Sequence, residues 1–375
     1  MRVMIMLSNI PMGGGERNVV SMMPYMKQQG IEVVLGTLST RFDSPLALEF
    51  ANSGLERINL GARRMIDTRA FRRFRNLLRE RKFDIVHSED QDVIMYGAMA
   101  HRFFGQATVM SRHVLVEPSD TWKESVRARM VLTAARVGFN RVVAVSEATR
   151  HQFSTLSGLS LNKIETIYNG IALEKFDTRA QREATRAQLG WLPDQKIVVM
   201  VAVLRRGKGH EVLFEAIPHL QAAIPNVKIK LIGEGELHDT LHKQATQFGD
   251  AIEFMGQRMD IPALLGGADV LVLPSWSEAL PTVLIEAGAA ALPVVATNVG
   301  GTSEIVVEGE TGWIVAAGDA AALADRLAHV LNHPSDALKM GQAAQVRVRK
   351  LFTFEQQAAK TIQLYQSILK ERKHR

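Results

Sequence analysis

Along the chain, short β-branched runs alternate with longer stretches in which apolar positions recur every three or four residues. Runs of the first kind are "RVMIMLS", "IEVVLGTL", "FDIVHS", "QATVMS" and "RVVAVS" in the first half, then "KIVVMVAVL", "VKIKLIG", "DVLVLPS" and "PVVATN" in the second. Near-continuous apolar runs of this length predict strands buried on both faces, and the amphipathic stretches predict the helices that cover them. The order is that of parallel sheets wound with helices, an α/β architecture. Between the halves, "YNGIALEKFDTRAQRE" holds Asn169-Gly170 and a charged stretch, the composition of a hinge. Two doubly wound, Rossmann-like domains are expected, at 1–172 and 173–353, with a C-terminal helix over about 354–375 packing back on the first. In such sheets ligands bind beyond the carboxyl ends of the strands, so the strand-to-helix loops are where chemistry belongs.

Length agrees with two domains, since 375 residues exceed one ordinary core. Glutamates, prolines and glycines interrupt every apolar run before it could span a bilayer. The opening segment is too short in apolar residues for a signal peptide, which makes the cytoplasm the expected location. The absence of cysteine excludes disulfides, zinc–thiolate and iron–sulfur sites, and thiol nucleophiles. Charge becomes informative once located. The net charge is +6, but residues 63–82 contain nine basic and two acidic side chains, so the remainder of the chain sums to −1. Within that window Phe71, Phe74 and Leu78 share one helical face, which predicts packing on the first sheet with the arginines solvated.

Three loops stand out. "PMGGGER" places Gly13, Gly14 and Gly15 ahead of a helix, where backbone amides approach an anion closely; a flexible turn is the alternative. "VLRRGKGHEVL" puts Arg205 and Lys208 at a helix start, an unfavourable place for cations. An acidic partner or a bound diphosphate would justify them, and the diphosphate is the preferred reading. "SEALPTVLIEAG" sets Glu278 and Glu286 eight positions apart in one of the most apolar stretches of the chain. Pro281 suits the first helical turn, leaving the Thr282 and Val283 amides free. Taken singly, Glu278 is an ordinary acid near a helix start and Glu286 a core ion pair. Taken together, carboxylates suit sugar hydroxyls while cations and amides suit phosphates, so a nucleotide-sugar matches both.

At these residues the chain resembles the retaining GT-B glycosyltransferases of family 4, and the resemblance spans nearly its whole length. It is carried by "GGGER", "VVAVSEATR", "TIYNGIALEKF", "VAVLRRGKG", "LIGEGEL" and "PSWSEALPTVLIEAGAAALPVVATNVGGTSEIV", which contains the family's E-x7-E element. The resemblance implies two Rossmann-like domains facing an inter-domain cleft, the first binding acceptor and the second nucleotide-sugar. It implies that Arg205 and Lys208 bind the donor diphosphate and that Glu278 contacts the donor sugar. Glu286 would take the ribose hydroxyls, the Thr282 and Val283 amides would meet phosphate, and Leu280 and Pro281 would line the donor. Gly14 and Gly15 match the loop that closes over the donor, His113 the histidine near the transferred sugar, and "FMGQRMDI" with Arg258 the base pocket. For these roles both acids must face the cleft rather than be locked into internal ion pairs. Ala279 and Ala291 stand where the family usually has glycine.

The implied reaction is metal-independent, retaining hexosyl transfer from a nucleoside-diphosphate sugar, with uridine as the expected base, and no cofactor. The expected acceptor is a hydroxyl of a lipid-linked or polysaccharide-type glycan, with Arg63 to Lys82 resting on an anionic membrane surface. A sugar-nucleotide epimerase, a nucleic-acid-binding protein using the arginine helix, and an inactive nucleotide-binding scaffold are the alternatives; nucleic acid is disfavoured as a partner. Asp90-Gln91-Asp92 has the D-x-D spacing by which GT-A enzymes hold a metal, but a loop that caps the next helix accounts for it more simply.

Overall fold

The computed structural model describes residues 1–9, 14–39, 44–62, 67–116 and 121–374. The chain divides into two compact units, one of residues 1–170 with 354–375 and one of residues 171–353. In the first unit the strands are β1 (Arg2–Leu7), β2 (Glu32–Thr37), β3 (Glu56–Asn59), β4 (Ile85–Ser88), β5 (Ala107–Arg112), β6 (Arg141–Ala144) and β7 (Ile164–Thr166). They form one sheet in the order β3-β2-β1-β4-β5-β6-β7. In the second, β8 (Lys196–Val201), β9 (Val227–Ile232), β10 (Ile252–Phe254), β11 (Val270–Leu273), β12 (Val294–Thr297) and β13 (Gly312–Val315) run in the order β10-β9-β8-β11-β12-β13.

Every ladder is parallel. Each sheet is doubly wound, as expected, and reverses its strand order once, between β1 and β4 and between β8 and β11. The loops after those four strands are therefore neighbours in pairs, at the switch points where such sheets bind ligands. The glycine loop follows β1, the Arg205–Lys208 loop follows β8, and the Glu278 loop follows β11.

The cores follow from the strands' composition. In the second unit Val198, Met200, Ile229, Leu231, Val270 and Val272 pack against Leu213, Ile217, Leu323 and Leu327 of the covering helices. In the first, the helix Phe354–Lys373 lies on the helix Gly14–Gln28, with the Tyr25 and Phe354 rings 5.3 Å apart. A buried amide network fixes that packing. Gln357 donates to the Asn18 side-chain oxygen (2.8 Å), Asn18 donates to the Gly170 carbonyl (2.7 Å), and the Gly170 N–H donates to Gln357 (2.7 Å).

The basic segment forms a helix over Thr68–Arg81, started by Asp67, whose carboxylate accepts from the Arg69 and Ala70 amides. Ala70, Phe74 and Leu78 form its buried stripe, while Phe71 is half-buried and stacks on Tyr96 at 4.1 Å. Arg73 donates to the Leu60 and Gly61 carbonyls and Arg81 pairs with Glu56. Arg69, Arg72, Arg79 and Lys82 are exposed. Arg63 and Arg64 lie outside the described residues, as does Gly13.

Candidate functional site

In the second unit the loop after β8 is held against the end of β11 by a glycine. Gly209 has φ 74°, and a Cβ there would stand 1.9 Å from the Pro274 carbonyl oxygen, so no other residue fits. The Trp276 N–H donates to the Gly207 carbonyl (2.9 Å) and its indole donates to Glu211 (2.6 Å), binding the two loops further. Lys208 and Glu278, 70 positions apart in sequence, are thereby brought together. The ammonium lies 2.6 Å from the carboxylate, which also accepts a hydrogen bond from the Ser275 hydroxyl at 2.7 Å.

This pair corrects one expectation, that neither acid would be tied into an internal ion pair. The partner of Glu278 is the lysine predicted for the diphosphate, so two predicted ligand-binding groups neutralise each other, with Glu278 also held by the buried Ser275 hydroxyl. Both side chains keep some exposure, 16% and 11%. Arg205 is exposed, and among the described residues its guanidinium has no partner.

The helix Thr282–Ala289 follows. Pro281 is its N-cap, one position earlier than expected, and offers no side-chain cap. The Pro281 carbonyl accepts from the Leu284 N–H (3.0 Å), while the Thr282 and Val283 amides have no partner among the described residues. Uncapped amides with the positive end of the helix dipole form an anion-binding end. Leu280 is buried beside them and Glu286 is half-buried in the second turn. The helix is C-capped by Ala290, and the next residue, Ala291, has φ 51°, the left-handed conformation. That geometry explains why glycine is usual at this position.

Arg258 follows β10 and forms a two-pronged ion pair with Asp260, at 2.7 and 2.6 Å. Asp260 is the N-cap of the helix Ile261–Gly267, so Arg258 as it stands orders a local turn.

In the first unit Gly14 and Gly15 open the helix Gly14–Gln28, and His113 follows β5. The structure brings them together: a Cβ on Gly15 would sit 3.6 Å from the His113 Cβ and Cγ. Sequence reasoning missed the partner of that histidine. Glu89, one residue past β4, accepts from His113 Nε2 at 2.9 Å, and its side chain is only 3% exposed. Nearby, His87 contacts the Tyr365 hydroxyl through Nδ1 (2.6 Å) and the Ser111 hydroxyl through Nε2 (2.8 Å). Burial works against ionisation of Glu89, but His87, the His113 hydrogen bond and charge, and Ser111 outweigh it and hold the carboxyl at about 2. Burial pushes His87 below its ordinary value and Tyr365 well above. The available signal was an acid set directly against the apolar strand "FDIVHS".

The D-x-D carboxylates serve the backbone and a surface pair. Asp90 accepts from the Ser8, Asp92 and Val93 amides, and Asp92 pairs with Arg127. Burial pushes Asp90 upward, partly offset by those bonds. Among the described residues no three His, Asp or Glu side chains are grouped as metal ligands, and no helix is long and apolar enough to cross a membrane.

Two family models match this chain. "Glycosyltransferase Family 4" covers residues 12–175 and "Glycosyl transferases group 1" covers residues 181–347. Glycogen synthase of Mycobacterium tuberculosis is 29% identical over 291 residues, 75% of this chain and 68% of its own. The GDP-mannose-dependent alpha-(1-6)-phosphatidylinositol monomannoside mannosyltransferase of Mycolicibacterium smegmatis is 28% identical over 260 residues, 66% and 67% of the two chains. Anabaena Alr3699/HepE, solved with UDP-glucose, has the same fold, with a TM-score of 0.83 at 21% identity over 97% of this chain and 99% of that one. With two doubly wound units and both family models matched in sequence, the chain belongs to the GT-B glycosyltransferases of family 4.

Proposed function

We propose that this glycosyltransferase moves a sugar, with retention of anomeric configuration and without a metal, from a nucleoside-diphosphate sugar to a hydroxyl of a lipid-linked or polysaccharide-type glycan. The observation that carries the donor half is the second unit's switch point. There a cationic loop with Arg205 and Lys208, the acid Glu278 and the uncapped amides of Thr282 and Val283 converge on adjacent strand ends. Charge builds on the departing diphosphate, and cations and amides fixed in advance stabilise it without reorganising. In this mechanism the acceptor hydroxyl attacks from the leaving-group side and gives its proton to the departing phosphate. Lys208 must exchange Glu278 for phosphate, which frees Glu278 for the sugar hydroxyls. Glu286 takes the ribose, and Arg258 sits near the base.

UDP is the preferred nucleotide because Anabaena Alr3699/HepE was solved with UDP and with UDP-glucose, while a mannosyltransferase relative is GDP-mannose-dependent. The phosphatidylinositol mannoside relatives and the exposed arginines of the Thr68–Arg81 helix support a lipid-linked acceptor reached from the cytoplasmic membrane face. The relatives named above are transferases and a synthase, which does not favour the epimerase alternative. A screen of UDP- and GDP-sugars for nucleoside diphosphate release, with and without membrane extract and EDTA, tests this function. Acceptor-stimulated release that survives EDTA is expected. An altered nucleotide-sugar formed without acceptor, or release abolished by EDTA, overturns it.

A further inference from the structure

The first unit contains a titratable cluster that the donor chemistry leaves unused. His113 is oriented from one side only. Its Nε2 is 2.9 Å from Glu89, while its Nδ1 is buried and has no hydrogen-bond partner among the described residues. A ring nitrogen in that state is costly to bury unless something else meets it. The residue beside that edge of the ring is Gly15; a Cβ there would lie 3.9 Å from Nδ1.

Glu89 is itself held from behind. Its second oxygen is 3.5 Å from His87 Nδ1, and His87 is fixed by the Tyr365 and Ser111 hydroxyls. Burial opposes ionisation of the carboxyl, while the hydrogen bonds it accepts from His113 and Ser111 favour the carboxylate, which only accepts. An imidazole facing a carboxylate through Nε2 must carry its proton there. In the neutral ring the lone pair is then on Nδ1.

We infer that Glu89 is a positioning residue that fixes His113 as the Nε2–H tautomer, so that Nδ1 accepts a hydrogen bond from a sugar hydroxyl. This rests on the proposed glycosyl transfer, because the resemblance puts His113 near the transferred sugar. The partner must be a hydroxyl: a lone pair accepts from an O–H and repels a phosphate oxygen. Glu89 touches no substrate and acts through the ring.

The experiment is imidazole ¹⁵N–¹H NMR on the full-length protein, with the His113 signals assigned by their loss in His113→Gln. The wild type should show Nε2 protonated and Nδ1 bare at neutral pH. In Glu89→Gln the side-chain amide can donate to Nε2, so the Nδ1–H tautomer should become populated. Turnover should fall about tenfold or more with the donor KM within about threefold, and Glu89→Asp should restore much of the wild-type spectrum and rate. An imidazolium at His113, an Nδ1–H tautomer in the wild type, or a tautomer unchanged in folded Glu89→Gln would overturn the inference. So would a changed tautomer with unchanged turnover. The spectra need no substrate, so they stand apart from any failure of glycosyl transfer itself. Should Glu89→Gln not fold, as its melting curve would reveal, the wild-type spectrum decides: Nε2 protonated with Nδ1 bare supports the inference, and the other tautomer or an imidazolium overturns it.

Discussion

Replacing Lys208 by alanine separates a structural role from a functional one. The Lys208–Glu278 pair is neither on the open surface nor fully buried, with side chains 16% and 11% exposed. Exposed pairs contribute about 0–1 kcal/mol, and breaking buried ones costs about 3–5 kcal/mol, which places this one near 1–2 kcal/mol. The Ser275 hydroxyl, 2.7 Å from Glu278, offsets part of the loss. For a unit of this size that lowers Tm by roughly 3–6 °C and leaves the fold intact at 25 °C. Turnover should respond far more. One fixed cation removed from a developing diphosphate costs about 10²-fold or more, roughly 2.7 kcal/mol of transition-state stabilisation. Circular dichroism melting and nucleoside diphosphate release on the same preparation read both quantities. Glu278→Ala and the double variant complete a cycle, in which the stability effects should couple because the groups touch. A folded Lys208→Ala protein with turnover within threefold of the wild type would refute the role given to this lysine.

Other predictions follow from particular residues. Ala291 holds φ 51°, so Ala291→Gly should raise the unfolding free energy by about 0.5–1 kcal/mol, or roughly 1–3 °C in Tm; a lower Tm would contradict the strain. Burial holds His210 at about 4 against an ordinary 6.5, so the unfolded chain binds a proton between those values that the folded chain does not. Stability should therefore fall by about 3 kcal/mol as pH drops from 6.5 to 4 on this account, and His210→Gln should flatten that slope; an unchanged slope would exclude the group. Phosphatidylglycerol vesicles should float the protein at low salt and release it at high salt, with charge reversal at Arg69, Arg72 and Arg79 weakening flotation. Failure to float at either salt would remove the membrane from the account.

What the sequence revealed and what it hid have a common cause in burial. All nine strands read from apolar runs are present, and they are the sheets' interior strands. The four it missed, β3, β7, β10 and β13, are the four edges. Their sequences, "ERIN", "IET", "IEF" and "GWIV", are short and only partly buried, so they lack the apolar run that marks a strand covered on both faces. The site divides similarly. Loops that announce themselves by glycine, clustered charge or a stranded acid were legible, and they lie where the sheets reverse. Contacts made by folding were not: Lys208 meets Glu278 across 70 residues and Glu89 meets His113 across 24. In "HSEDQDV" the D-x-D spacing drew attention from the neighbouring glutamate, although the aspartates serve backbone amides and Arg127. Ala291 was visible as a departure from the family pattern, but its left-handed backbone could be read only from the structure.

Calorimetric titration of UDP and GDP into the wild type and Glu286→Ala tests the central claim, that the second unit grips a nucleoside diphosphate at its switch point. The account predicts saturable binding of one of these nucleotides by the wild type. It predicts at least about tenfold weaker binding by the folded variant, since hydrogen bonds to a charged group contribute about 1.5–3 kcal/mol. Equal affinity in both proteins, or no binding of either nucleotide to the wild type, would contradict it.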